Sequence, residues 1–162
     1  MAERARLFVA VWPPDEVVAA VASLPRPEVV GLRWTGADQW HVTLRFYGTT
    51  EVEPAAAALR RTSAPPTVAC MGPATERFGA GVLHVPVSGL DALAAEVADP
   101  CEDRPFHGHV TLARARGKGI DLRPYCGWPI TASWPVTEIT LVASSTLASG
   151  ARYTVVERAP LR

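Results

Sequence analysis

His41-Val42-Thr43-Leu44 and His109-Val110-Thr111-Leu112 are two copies of one tetrapeptide, each set among apolar and β-branched residues. Such surroundings predict strands. Successive side chains of a strand point to opposite faces, so His41 projects with Thr43 and His109 with Thr111. The valines and leucines turn the other way, toward a core. Two imidazoles and two hydroxyls on one surface suit acid–base work on a phosphate.

Outward from the motifs, the pattern alternates between strands and helices. Leu7 to Trp12 is a short apolar run that reads as a buried first strand. Pro13-Pro14-Asp15-Glu16 reads as a helix start, with proline in the first turn and acids at the positive end of the dipole. Val17, Val18, Val21 and Leu24 follow at helical spacing, and Pro25-Arg26-Pro27 ends that helix. Leu32 to Trp34 leads to the first motif strand, Trp40 to Tyr47, which closes at Gly48. Glu51 to Arg61 predicts a second helix, broken by Pro65-Pro66. Short strands are expected at Thr67–Met71, Glu76–Phe78 and Val82–Val87. A third helix runs from Leu90-Asp91 toward Ala98, and Phe106 to Arg114 is the second motif strand. Ala115 to Pro129 reads as a long loop. Trp134–Ser144 and Arg152–Arg158 are the last two strands, joined near Ser149-Gly150. Each tetrapeptide thus comes on a strand after a helix, which points to a weak duplication in which two lobes face one another.

The chain has 162 residues and is 48% hydrophobic, which predicts one folded domain of two lobes spanning 1–162 and excludes global disorder. A formal net charge of zero gives no general pull on nucleic acid or acidic membranes, so a polyanion must be held by a local patch. The basic residues are nearly all Arg, which compositional bias explains. Cys70, Cys101 and Cys126 form no Cys-x-x-Cys pair, which argues against a structural zinc site or a disulfide framework and for free thiols in a reducing cytosol. The apolar run Leu7–Trp12 is too short for a signal-peptide core or a membrane span. The expectation is a cytoplasmic monomer without membrane association.

Cleaving a phosphodiester requires protonation of the leaving oxygen, deprotonation of a nucleophile, and stabilisation of charge on the phosphoryl oxygens. Histidine suits the first two tasks because its ordinary pKa lies near neutrality. Thr43 and Thr111 can donate to the non-bridging oxygens. A lone His on a strand is more often structural, and what favours catalysis is the match of periodicity, position and His-to-Thr geometry in the two copies.

The chain resembles the two-histidine (2H) phosphoesterase superfamily, and within it the RNA 2′,3′-cyclic phosphodiesterases historically called 2′-5′ RNA ligases. Nearly the whole length takes part. Arg6-Leu7-Phe8-Val9-Ala10 with Pro14 is similar to the family's opening strand and helix. Trp40 through Gly48 is similar to its first motif, Arg104 through Arg114 to its second, and Val136 through Ser145 with Arg152-Tyr153 to its closing strands. The resemblance implies an α+β fold of bilobal, duplicated antiparallel sheets with flanking helices around a central cleft. It implies metal-independent hydrolysis of RNA 2′,3′-cyclic phosphate ends to 2′-phosphates, with no cofactor. By position it makes His41 the proton donor and His109 the proton acceptor, a choice that motif symmetry alone does not make.

Other residues near the motifs are candidates for substrate binding. Arg114 matches a basic position that contacts phosphate, but strict alternation sends it to the face opposite His109 unless a bulge re-aims it. Alternation places Arg45 on the His41 face. Phe46 and Tyr47 are candidates for stacking on a base, with core packing the competing role for Phe46. His107 shares a face with His109 and either orients it, binds substrate or is structural. Gly108 stands where bacterial relatives often have proline, which loosens the backbone. Alternatives stay open: a cyclic-phosphate nucleotide phosphodiesterase or 2′-5′ RNA ligase, a metal-dependent hydrolase using His41, His107 and His109, or a non-catalytic module that cradles a nucleotide or RNA end. A chelator separates the metal reading, and alanine at either histidine separates the binding module.

Overall fold

A computed structural model describes residues 2–162. The strands are β1 (Arg4–Val11), β2 (Leu32–Trp34), β3 (Val42–Glu51), β4 (Thr67–Met71), β5 (Glu76–Phe78), β6 (Val82–Ser88), β7 (His109–Ala115), β8 (Ala132–Val136), β9 (Glu138–Leu147) and β10 (Gly150–Pro160). The helices are α1 (Asp15–Ala22), α2 (Val52–Arg61) and α3 (Asp91–Val97). The strands form one curled antiparallel sheet in the order β10-β9-β1-β3-β7-β6-β4-β8, with β2 added to β7 and β5 to β6. The fold is α+β.

The sheet has two similar halves. In β10-β9-β1-β3 and β8-β4-β6-β7 the motif strand lies innermost, and the halves meet where Val42 of β3 pairs with Val110 of β7. The strand before each motif strand in space, β1 or β6, is followed in sequence by a helix that crosses over. Thus α1 packs on β8 and α3 on β3, so each half covers part of the other. Val17 and Val21 of α1, and Leu93, Ala94 and Val97 of α3, are the faces buried by this exchange. The main core beneath runs from Leu7, Val9 and Val11 through Trp40 and Val42 to Leu83, Val85, Val110 and Leu112. Removing an aromatic side chain as buried as Trp40 typically costs about 3–5 kcal/mol.

Both motif strands carry a bulge at the motif leucine. On β3, Thr43 pairs with Ala10 and Arg45 with Val9, so Leu44 is the extra residue. On β7, Thr111 pairs with His84 and Ala113 with Leu83, so Leu112 is extra. Both leucines are buried. A bulge shifts the alternation by one residue, and everything after it changes face.

Several element boundaries differ from the sequence expectation; the first motif strand, expected to close at Gly48, runs on to Glu51. The single strand expected at Trp134–Ser144 is two: β8 pairs with β4 in one half, and β9 pairs with β1 and β10 in the other. Pro135 fits because β8 is an edge strand, where a missing N–H does no harm. The second motif strand starts at His109 rather than Phe106. Among the described residues, no helix is long and apolar enough to cross a membrane.

Candidate active site

His41 immediately precedes β3, and its ring is fixed at both nitrogens. Nδ1 lies 2.7 Å from the Gln39 carbonyl and Nε2 2.9 Å from Thr43 Oγ1. A carbonyl only accepts, so Nδ1 carries the hydrogen. In the neutral ring Nε2 is then the acceptor, and the Thr43 hydroxyl donates to it. A short 3₁₀ turn at Ala37–Gln39 presents that carbonyl, and the Gln39 amide is tied to the Ala151 carbonyl at 3.1 Å. Phe8 stacks on the imidazole at 4.8 Å between ring centres, while Trp12 and Tyr153 each lie at 5.3 Å. Phe8, Ala10 and Val142 form a small apolar cluster under the ring.

His109 opens β7 and is held differently. Its Nδ1 donates to the His107 carbonyl at 2.6 Å, and Nε2 has no hydrogen bond among the described residues. Phe78 meets its ring edge-on at 4.8 Å, and His84 lies at 5.3 Å, steeply inclined. Gly108 is pinned rather than loose: the Val87 N–H donates to its carbonyl at 2.8 Å, and a Cβ there would run into the Val87 carbonyl oxygen.

The two histidines flank the Val42–Val110 pair on the opposite face from the valines. Diagonal positions in an antiparallel ladder lie about 7–8 Å apart, so the two motifs present their imidazoles on the same face as near neighbours, and His109 is close enough to influence the titration of His41. A hydrogen-bonded bridge links the motifs. Trp40 Nε1 donates to Thr35 Oγ1 at 2.9 Å, the Thr35 hydroxyl donates to the Thr111 carbonyl at 2.8 Å, and the Thr35 N–H donates to the Leu112 carbonyl at 2.8 Å. Thr35 thereby satisfies the backbone that the Leu112 bulge leaves unpaired.

The bulges decide which flanking residues reach the site. Arg114 pairs with Val82 on the His109 face, and its charge is felt by His41, His109 and Tyr153 together. Phe46 pairs with Phe8 on the same face; its ring is 66% exposed, so it is not a core residue. Arg45 goes the other way, contrary to simple alternation. It lies over the Tyr47 ring at 4.0 Å and donates to the Val97 carbonyl at 3.2 Å, bracing α3. The His107 side chain is exposed, and the group it contributes to His109 is its backbone carbonyl.

Sequence reasoning missed His84 and Phe78. His84 is the cross-strand partner of Thr111 and is 2% exposed. It stacks on Phe78 at 3.8 Å with 12° between planes. Its Nε2 is 3.8 Å from a Glu76 carboxylate oxygen, and its buried Nδ1 finds no partner in good hydrogen-bond geometry among the described residues.

The environment keeps these rings neutral at rest. Burial pushes His41 down to about 4; the Gln39 carbonyl opposes this, and the charges of His109 and Arg114 add to it. Burial lowers His109 as well, against its His107 carbonyl bond and with Arg114 and His107 adding to the effect. Burial lowers His84 to about 4, reinforced by His109 and opposed by the Val82 backbone. An anion docked between the imidazoles acts in the opposite direction and favours their protonation. Among the described residues, no group of three or more His, Cys, Asp or Glu is arranged to hold a metal ion.

Paired His-x-Thr strands at the centre of a duplicated antiparallel sheet define a two-histidine phosphoesterase. No protein-family model matches the chain. It is 31% identical over 176 residues to an RNA 2′,3′-cyclic phosphodiesterase of Escherichia coli, covering 98% of this chain and 97% of the relative. It is 31% identical over 183 residues to an RNA 2′,3′-cyclic phosphodiesterase of Thermus thermophilus, covering 97% and 90%. The crystal structure of E. coli LigT complexed with phosphate superposes with a TM-score of 0.78 at 28% identity, covering 99% of both chains. The chain belongs to the RNA 2′,3′-cyclic phosphodiesterase family.

Proposed function

We propose that this chain hydrolyses 2′,3′-cyclic phosphates at RNA ends, leaving a 2′-phosphate and a free 3′-hydroxyl. The family relationship supports the substrate class, and the site supports the chemistry. His109, whose Nε2 is unpaired, takes a proton from water as its oxygen bonds to phosphorus. The bond from phosphorus to O3′ breaks, and His41 Nε2 delivers a proton to that oxygen. The free protein holds His41 neutral, so its proton arrives with substrate: the phosphodiester anion offsets the charges of Arg114 and His109. Thr43 then turns its hydroxyl from the ring nitrogen to a phosphoryl oxygen, with Thr111 and Arg114 on the others. Exposed Phe46 offers a face for the terminal base. Acid, base and charge stabilisation all come from side chains, and the reaction needs no metal.

The observation that supports this reading is that each imidazole has Nδ1 locked onto a backbone carbonyl, which leaves Nε2 as the working nitrogen of each ring, on motif strands that meet at the Val42–Val110 pair. The test is a short RNA ending in a 2′,3′-cyclic phosphate, assayed in EDTA with product analysis. His41→Ala and His109→Ala should each lose at least about 100-fold in rate while still binding a 2′-phosphorylated product. Full turnover by either variant, or a 3′-phosphate product, overturns it.

A further inference from the structure

The two imidazoles are secured unequally. His41 has hydrogen bonds at both nitrogens and a stacked Phe8, whereas His109 has one hydrogen bond, through Nδ1. A single bond at Nδ1 leaves the ring free to swing about that contact. Thr111 does not supply the second anchor that Thr43 gives His41. What touches the His109 ring instead is a pair of stacked planes, Phe78 and His84, inclined to it at 83° and 72°.

The two halves of the sheet locate this pair. Ala10 faces Thr43 on β1, and His84 faces Thr111 on β6, so His84 stands where the other half has alanine. The larger side chain fills the space beside His109 and backs onto Phe78 of β5. His84 is itself immobilised by burial, and Phe78 is the outer, partly exposed member. His84 pairs with Thr111 in unbroken register with Val85–Val110 and Pro86–His109, and the Leu112 bulge falls just beyond it, between His84 and Leu83.

We propose that His84 is a positioning residue for His109: stacked on Phe78, it forms an aromatic wall that stops the His109 ring from turning, so that Nε2 stays aimed at the phosphate. This rests on His109 being a catalytic group. A displacement of 1 Å in a catalytic group costs about 100-fold in rate, and freeing the ring is expected to reduce kcat by about 10- to 100-fold. Substrate binding, held by Arg114 and the threonines, should be little changed.

The experiment compares His84→Leu, His84→Phe and Phe78→Leu in the same cyclic-phosphate assay, with His109→Ala as the control. His84→Leu should lose about 10- to 100-fold in kcat with KM within about twofold. His84→Phe, which restores a plane, should recover most of that loss. Phe78→Leu changes a partly exposed ring and should reproduce the kcat defect even where a His84 variant fails to fold. Wild-type kcat in His84→Leu or in Phe78→Leu overturns the proposal. So does a defect carried by KM, or one as large in His84→Phe as in His84→Leu. An inactive His109→Ala beside unaffected wall variants refutes this proposal alone; an active His109→Ala refutes the catalytic reading beneath it.

Discussion

Lowering the pH from 7 to 5 is expected to cost the folded state about 4 kcal/mol through two buried imidazoles. His41 and His84 sit at about 4 in the folded protein, against an ordinary value of 6.5 in the unfolded chain. Their folded values are depressed, so the unfolded state takes up protons first. The contribution of each is intact above pH 6.5 and is lost as pH falls from 6.5 toward 4. Between pH 7 and 5 linkage gives about 2 kcal/mol for each ring, a large part of a typical stability of about 5–15 kcal/mol. Glu102 and Asp121, kept low by their arginine partners, are exposed carboxylates and titrate below this window. The assay is urea denaturation at both pH values for wild type and for His84→Phe, which removes one titrating ring. The wild type should lose about 2 kcal/mol more than the variant on acidification. Equal losses in the two proteins would refute the claim that burial of His84 opposes its protonation.

The remaining expectations concern the cleft and its supports. Since His41 and His109 are both depressed in the free protein, the proposed mechanism expects kcat/KM to trace a bell with its maximum below pH 6.5, and a maximum above pH 8 would contradict the assignment. Arg114→Met should shift that maximum upward by removing a like charge, and should weaken inorganic phosphate binding by about 10-fold or more, read by calorimetry. Gly108→Ala should destabilise the fold by about 1–3 kcal/mol in urea titrations, because the added Cβ meets the Val87 carbonyl. Phe46→Ala should leave stability unchanged and weaken binding of a 2′-nucleotide by about 1–3 kcal/mol, with no effect on inorganic phosphate.

The motifs were legible because strand alternation is a local rule: His41 with Thr43, and His109 with Thr111, follow from spacing alone. The first helix was legible from its proline and acidic start, the second from its alanine-rich run, and the third from apolar residues at helical spacing after Leu90-Asp91. Bulges were not, since Leu44 and Leu112 look like ordinary core positions until the partner strand shows one residue too many. That hidden residue explains why Arg45 leaves the site while Arg114 and Phe46 join it. His84 was hidden for a related reason. Its place opposite Thr111 is a matter of register between β6 and β7, and Leu83-His84-Val85 reads as an unremarkable strand. The division of β8 from β9 left only Pro135 as a signal, because Val136-Thr137-Glu138 contains no glycine to mark the turn from one half of the sheet to the other.

A titration of ¹⁵N-histidine-labelled protein with a 2′-phosphorylated nucleotide tests most directly whether two distant imidazoles serve one phosphorus atom. The Nε2 resonances of His41 and His109 should move together, saturate with one Kd at one equivalent, and report protonation of at least one ring as the anion binds. Movement of one ring alone, or two unequal affinities, would place the histidines in separate environments and contradict the account.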